Sequence, residues 1–212
     1  METRNMYQWQ GKIAVVTGAS AGIGLAICKR FVQEGLVVVG FARRQDKMEN
    51  EMKSTRGKGK FYAVQCDVSN EQSIVNILIP LTQVSRSEWE KIFNVNVIGL
   101  LECSKQAIQM MKNADVEGYI VNVNSGLFWN VYSGTKHAVT GLTKSLEFVF
   151  LQSISPGHVR SDINKDNSLG ADISRLPMLE VEDIADAVVY IVSTPQHVQI
   201  HEMIIKPTGK VF

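Results

Sequence analysis

Two side chains set the chemical question. Tyr132 and Lys136 stand four residues apart in Tyr132-Ser133-Gly134-Thr135-Lys136, a spacing that puts a phenol and an ammonium on one face of one helix. A tyrosine near its ordinary pKa of ~10 is a poor base at neutral pH. A fixed cation beside it favours the phenolate, and lowering the pKa by ~3 units requires roughly 4 kcal/mol of differential stabilisation. Ser125, at the end of the run Gly118-Tyr-Ile-Val-Asn-Val-Asn-Ser125, is placed to donate to a substrate oxygen that Tyr132 protonates or deprotonates. Asn96 lies in Asn94-Val-Asn-Val-Ile-Gly99, which reads as helix. A buried helical asparagine needs a partner, and packing or a backbone hydrogen bond is the alternative to a chemical role. Taken alone, the Tyr-x-x-x-Lys spacing is common and decides nothing.

A second stretch binds rather than reacts. The apolar run Ile13 to Val16 leads straight into Thr17-Gly-Ala-Ser-Ala-Gly-Ile-Gly24, and a helical pattern starts there, with Ile23, Ala26, Ile27, Phe31 and Val32 on one face and Gly35 placed to stop it. Strand, tight glycine turn and helix make the first half of a dinucleotide-binding βαβ unit. Gly18 and Gly22 let the backbone approach a pyrophosphate, and Gly24 lets helix pack on strand. The helix N-terminus offers its N–H groups to the anion. The turn residues Gly18, Ser20, Ala21, Gly22 and Ile23 are the expected contacts; a glycine turn with no ligand is the alternative. The next strand, Leu36 to Ala42, ends in Arg43-Arg44. An acidic residue there accepts from a free ribose 2′-hydroxyl, whereas two arginines suit a 2′-phosphate, which favours NADP over NAD. A solvated arginine pair at a strand end is the competing reading.

The elements that must hold these groups alternate. Residues 45–60 read as a surface helix and loop, and Phe61 to Cys66 as a third strand running into Asp67-Val68, with Ser69 as a cap. Asn70 to Asn76 starts a helix, yet the strand-like Ile77 to Leu81 follows almost at once, too soon for a crossover. From Ser87 a helix runs past Phe93, Val97, Leu100 and Leu101 to Met111. Gly118 to Val123 is a strand, Tyr132 to Phe148 a helix, Phe150 to Ile154 a strand, Val181 to Val192 a helix and Val198 to Lys206 a closing strand. The expectation is an α/β fold: one domain over residues 1–212, a doubly wound parallel sheet with helices on both faces, and a substrate-loop region at about 158–180.

Composition narrows the partners. With 22 basic against 21 acidic residues in a chain of 212, no bulk field favours nucleic acid or a membrane surface. No apolar run reaches membrane-spanning length, and the polar start METRNMYQWQ lacks the apolar core of a secretory signal. Cys28, Cys66 and Cys103 sit far apart in apolar patterns and read as buried thiols of a reducing compartment, so a cytoplasmic protein is expected. His197 and His201 flank a strand-like run without acidic or sulfur partners, and no metal site is expected.

TGASAGIG, Asp67-Val68, NVNVIG, the VNVNS strand, YSGTK and SPG occur in that order, and together they resemble the short-chain dehydrogenase/reductase family over essentially the whole chain. The resemblance implies a Rossmann-type fold in which Tyr132 is the catalytic acid/base. By the same resemblance Lys136 holds the nicotinamide ribose and lowers the tyrosine pKa, Ser125 orients the carbonyl or alcohol, and Asn96 supports a water relay. It further implies that Asp67 and Val68 flank the adenine and that Pro156, Gly157 and Val159 border the nicotinamide. FARR, FNVNVIGL, LEVEDIADAVVYIVSTPQHVQI and IIKPT look like a subgroup that includes insect farnesol dehydrogenases and a vertebrate dehydrogenase/reductase branch. That implies NADP, an apolar terpenoid or steroid alcohol or carbonyl as substrate, and a homodimer or homotetramer. Phe128, Trp129, Met178 and Leu179 are candidates for an apolar pocket or for core. The competing function is a nucleotide-binding or scaffolding protein without catalysis.

Four places depart from the family pattern. The Asn-Asn-Ala-Gly turn is absent after Ile79-Pro80, and Ser125 and Tyr132 are only seven apart. Glu147-Phe148 runs almost directly into the next strand, and the stretch after Gly157 is short. All four fall at turns. The expectation is that these turns belong to a longer chain; a protein that truly lacks them is the alternative.

Overall fold

In the computed structural model, residues 6–67, 85–125, 130–145, 151–161, 176–195 and 197–209 are described. The predicted helix start at Asn70 to Asn76, the strand-like run Ile77 to Leu81, the Ser69 cap, Val68, Phe128 and Trp129 lie outside them. Contacts divide the chain into two compact units, one built on Met1–Val68, Val159–Lys165 and Met178–Val198, the other on Ser69–His158, Asp166–Pro177 and Gln199–Phe212.

In the first unit, β1 (Ile13–Thr17), β2 (Val37–Ala42) and β3 (Lys60–Gln65) form a parallel sheet in that order, with Val15 level with Val39 and Val39 with Tyr62. α1 (Gly22–Glu34) and α2 (Gln45–Met52) supply the crossovers. α1 buries Leu25, Ala26, Ile27, Cys28, Phe31 and Val32, the stripe its periodicity predicts, while Ile23 is only half-buried. Gly35 ends the helix at φ 95°, its N–H donating to the carbonyls of Phe31 and Val32, a left-handed closure that glycine adopts without strain. The two-residue period sorts the strand side chains: Val16, Val38 and Ala42 are buried on the side that α1 packs against. On the other face Ile13, Val15, Tyr62 and Val64 stand open, Ile13 at 73% exposure.

α6 (Val181–Val192) lies on α1 with Ile184, Ala185, Val188 and Ile191 buried, and Arg30 Nε meets Asp186 Oδ1 at 2.8 Å. A 3-10 turn, Met6–Trp9, precedes the sheet, and its Trp9 Nε1 donates to the Val192 carbonyl at 2.7 Å. That bond satisfies one of the carbonyls the end of α6 leaves without an intrahelical donor.

The second unit carries β4 (Ile120–Val123), β5 (Leu151–Pro156) and β6 (Glu202–Ile205), again parallel and in that order, with all six residues of the central β5 buried. β5 runs through Pro156, two residues beyond the predicted end, and β6 is shorter than predicted. α3 (Arg86–Phe93) opens on a capping box of Ser85 and Glu88, two residues ahead of the predicted start. A π-helical segment, Asn94–Gly99, leads into α4 (Leu100–Ala114), and α5 is Asn130–Ser145. Each sheet has the strand order of one half of a doubly wound α/β fold. Of the cysteines, Cys28 is buried, but Cys66, just past β3, and Cys103, within α4, are only half-buried.

The close packing of α1 on the end of β1 turns on Gly24. A Cβ there would stand 2.5 Å from the Gly18 carbonyl oxygen and 3.1 Å from that of Thr17, both backbone atoms. Alanine gains about 1 kcal/mol of helix propensity over glycine, less than the ~1–3 kcal/mol that overpacking costs. Gly24→Ala is expected to lower the urea-unfolding midpoint; an unchanged or raised midpoint shows that the turn can move aside.

Candidate active site

The first unit holds the glycine turn expected to meet a pyrophosphate. Gly18 (φ 67°) and Gly22 (φ 54°) both take left-handed backbone conformations, which other residues reach only with strain. Ala21 is the N-cap of α1, extended and making no side-chain cap bond, and the first turn carries no acidic residue. No side chain of the helix start therefore competes with an anion for the first-turn N–H groups. Ser20 is buried in this turn; Ala21 and Ile23 are half-buried. Because the strands are parallel, their carboxyl ends share one edge. Gly18 follows β1, Arg43 and Arg44 follow β2, and Asp67 lies just past β3. Arg43 is half-buried, whereas Arg44, the N-cap of α2, and Asp67 are exposed at the same edge. The carboxyl ends of parallel strands are where such folds bind ligands.

Ser161 was not singled out by the sequence reading. Its Cβ lies 3.6 Å from where a side chain on Gly22 would begin, so a hydroxyl stands beside the glycine turn. Its one signal was proximity in sequence to Pro156 and Gly157. Val159 is buried and bridges to Leu179; Arg160 N–H donates to the Leu179 carbonyl at 2.8 Å, and Arg160 Nε meets Glu180 Oε1 at 2.9 Å. Met178 and Leu179 are half-buried. These contacts join the two ends of the expected substrate-loop region.

The second unit holds Ser125, Tyr132 and Lys136. Ser125 comes just after β4, and Pro156 ends β5 with Gly157 beyond it, its N–H donating to the Ile205 carbonyl at 2.7 Å. Tyr132 and Lys136 lie one turn apart on α5, with Lys136 Nζ 5.4 Å from the centroid of the Tyr132 ring, within cation–π reach. Lys136 Nζ also donates to the Val123 carbonyl at 3.5 Å. Burial pushes the Lys136 ammonium down to about 8. Burial also holds the Tyr132 phenol above its ordinary value, with a hydrogen bond from Ser125 working the other way. In the protein without ligand, then, enclosure outweighs the lowering expected from Lys136. Both shifts have one physical cause, since a poorly hydrated site disfavours whichever form carries charge.

Asn96 finds its partner in a side chain. It sits in the π-helical segment, an irregularity found mostly at functional sites, and its Nδ2 donates to Thr135 Oγ1 at 3.0 Å. Thr135, fully buried, passes the link on by donating to the Tyr132 carbonyl at 2.7 Å. The sequence reading missed Thr135, although its place inside the Tyr-x-x-x-Lys motif was a signal. Asn96, Ser125, Tyr132 and Lys136 are thus gathered in one unit. Among the described residues, no group of histidine, cysteine and acidic side chains is arranged to hold a metal.

The profile of the family described as short chain dehydrogenase matches residues 12–79 and 75–171. The chain belongs to the short-chain dehydrogenase family. This short-chain dehydrogenase is 36% identical to a farnesol dehydrogenase of Aedes aegypti over 249 positions, covering 98% of this chain and all of the relative. It is 34% identical to dehydrogenase/reductase SDR family member 11 of Homo sapiens over 259 positions, covering both chains fully. Solved structures share its fold: a short-chain type dehydrogenase/reductase from Mycobacterium marinum at a TM-score of 0.81 and 20% identity, covering 93% of this chain and 95% of that one, and the closed form of a serine dehydrogenase complexed with NADP+ at 0.76 and 24%, covering 91% and 94%. The family is one of oxidoreductases that work with nicotinamide cofactors. An alignment of 249 positions against 212 residues also means that the mosquito protein carries residues with no counterpart here. The two profile matches overlap at 75–79, beside Ile79-Pro80, where the Asn-Asn-Ala-Gly turn is missing.

The enclosed ammonium makes stability depend on pH. Burial brings the Lys136 ammonium down to about 8 in the folded chain, against 10.5 for a solvated lysine. Between those values the unfolded chain binds more protons, so stability rises with pH; above 10 the raised Tyr132 phenol contributes with the opposite sign. Between pH 8 and 10 the protein without cofactor is expected to gain about 2 kcal/mol relative to Lys136→Met, read from urea unfolding. Parallel stability profiles for the two proteins count against an enclosed ammonium.

Proposed function

We propose that this chain is an NADP-dependent oxidoreductase that interconverts an apolar alcohol and its aldehyde or ketone, with a farnesol-type terpenoid alcohol as the best candidate and steroid or other carbonyl reduction as the alternative. The observation that carries the reading is the gathering of Ser125, Tyr132 and Lys136 in one enclosed site at the end of β4. The farnesol dehydrogenase relative supports the substrate class. Arg43 and Arg44 at the end of β2 support NADP, through charge-assisted bonds to a 2′-phosphate. The glycine turn and the uncapped start of α1 fit the pyrophosphate, Asp67 and Val68 the adenine, and Pro156, Gly157 and Val159 the nicotinamide. Lys136 and Tyr132 would hold the nicotinamide ribose. In this reading the 212 residues act as one NADP-binding domain in a cytoplasmic homodimer or homotetramer. Among the described residues no helix is long and apolar enough to cross a membrane.

When bound, the cofactor supplies or accepts the hydride. The chain handles the proton. In the reductive direction the Tyr132 Oη–H donates to the substrate oxygen as it gains charge, while the Ser125 hydroxyl donates to the same oxygen and fixes its direction. The Lys136 ammonium, one turn along α5, stabilises the phenolate left behind and is the route by which a new proton arrives. Asn96, through Thr135, holds the carbonyl side of the turn that carries Tyr132. Oxidation runs the same proton path in reverse.

A second reading is a nucleotide-binding protein without turnover, favoured by the missing Asn-Asn-Ala-Gly turn. Tyr132→Phe separates the two. On the enzymatic reading it lowers kcat for NADPH-linked reduction of a terpenoid aldehyde by ~10²–10⁴ and weakens NADPH binding far less, since only one ribose contact is lost; turnover that survives the change excludes this mechanism. For the cofactor, Arg43→Asp is expected to weaken NADPH binding about tenfold or more and to leave NADH binding unchanged, as read by titration calorimetry. Equal loss for both cofactors overturns the preference.

A further inference from the structure

Asn124 has no part in the proton path, yet its side chain reaches into it. It lies between β4 and Ser125, is buried, and its main-chain N–H donates to the Ile154 carbonyl at 2.7 Å, which extends the pairing of β4 with β5 by one residue. Its side chain turns to α5. Nδ2 donates to the Lys136 carbonyl at 3.2 Å and to Thr140 Oγ1 at 2.8 Å, while the Thr140 hydroxyl donates to the same Lys136 carbonyl at 3.2 Å. A carbonyl only accepts, so the amide nitrogen must face it and the orientation of the amide is fixed by chemistry. Two residues back on the same side of β4, Asn122 Nδ2 donates to Thr143 Oγ1 at 3.1 Å. Thr140 and Thr143 share a face of α5. Two such bonds fix the helix both along its axis and about it.

The Asn124 amide is not there for stability. Its Oδ1 is buried with no hydrogen-bond partner among the described residues, and an unpartnered buried acceptor opposes folding. A leucine of similar size would leave no new orphan, because the Thr140 hydroxyl keeps its bond to the Lys136 carbonyl. What leucine cannot do is join the residue before Ser125 to the helical turn of Lys136. We infer that Asn124 is a positioning residue, whose amide sets the height of the Tyr132–Lys136 pair on α5 against Ser125 at the end of β4. The inference rests on the reading of Ser125 and Tyr132 as the groups that act on the substrate oxygen.

The test is Asn124→Leu, with Thr140→Val removing the shorter of the two Asn124 bonds from the helix side and leaving the one to the Lys136 carbonyl, and Thr140→Ser retaining both. The polar groups that face the Tyr132 phenol are the Lys136 ammonium from its own helix and the uncharged Ser125 hydroxyl from the end of β4. In Asn124→Leu the urea midpoint is expected to hold or rise, while kcat falls roughly tenfold or more, a larger factor than any loss of NADPH affinity. The phenol absorbance transition of Tyr132, isolated by difference from the same protein carrying Tyr132→Phe, should move to higher pH as the Ser125 donor loses its alignment. Thr140→Val should shift kcat and the phenol transition in the same directions by a smaller amount, since the Asn124 bond to the Lys136 carbonyl remains, and Thr140→Ser should shift neither; this pair decides the matter if the leucine variant does not fold. Unchanged kcat, or a kcat that falls only with the folded fraction while the phenol transition stays in place, overturns the inference. The phenol titration needs no turnover, so a wild-type protein that fails to reduce any terpenoid or steroid carbonyl counts against the proposed function and leaves this result to be read by itself.

Discussion

Enclosure of one cation is the constraint on which the chemistry of this molecule depends. The Lys136 ammonium sits away from water with the Val123 carbonyl at 3.5 Å and the Tyr132 ring at 5.4 Å. No carboxylate is among those contacts. A cation so placed gains from any negative charge that forms beside it, and the group able to form one is the phenol a turn earlier on the same helix. The same enclosure that makes ionisation of Tyr132 expensive in the resting protein makes the field of Lys136 strong, because both follow from poor hydration. A solvated lysine at this spacing would do little.

Such a site requires that α5 be held to the end of β4 with little freedom, and here the holding is polar. Asn122, Asn124 and Asn96 each give an amide hydrogen to a threonine hydroxyl of α5. Hydrogen bonds of this kind add modest stability but, unlike apolar contact, allow only one register. The adjoining strand shows what the alternative costs: Gln152, fully buried on β5, has neither amide atom partnered among the described residues, and it positions nothing. In the nucleotide unit the equivalent precision comes from backbone, through the space that Gly24 leaves for the carbonyl of Gly18.

Much of this was legible beforehand. The 3.6-residue stripe of α1, its stop at Gly35 and the bounds of α6 are where the sequence put them, since burial of an apolar face and a left-handed C-terminal glycine are local signals. The motif order led directly to the family. The burial of the cysteines was misread, because an apolar neighbourhood in sequence does not say which side of an element faces the core; Cys66 and Cys103 lie only half covered. The π-helical form of Asn94–Gly99 and the start of α3 at the Ser85 cap were equally out of reach, as both depend on which hydrogen bonds the folded chain completes.

The sequence by itself determined the element order, the glycine turn, the arginine pair after β2 and the one-turn spacing of Tyr132 and Lys136, because these follow from residue type and short-range spacing. Tertiary structure alone decided that burial lowers Lys136 and raises Tyr132 together, that Asn96 reaches Tyr132 through Thr135, that Ser161 lies beside Gly22, and that Asn124 joins β4 to α5. Hydration and hydrogen-bond partners are properties of surroundings drawn from distant parts of the chain, and no local spacing encodes them.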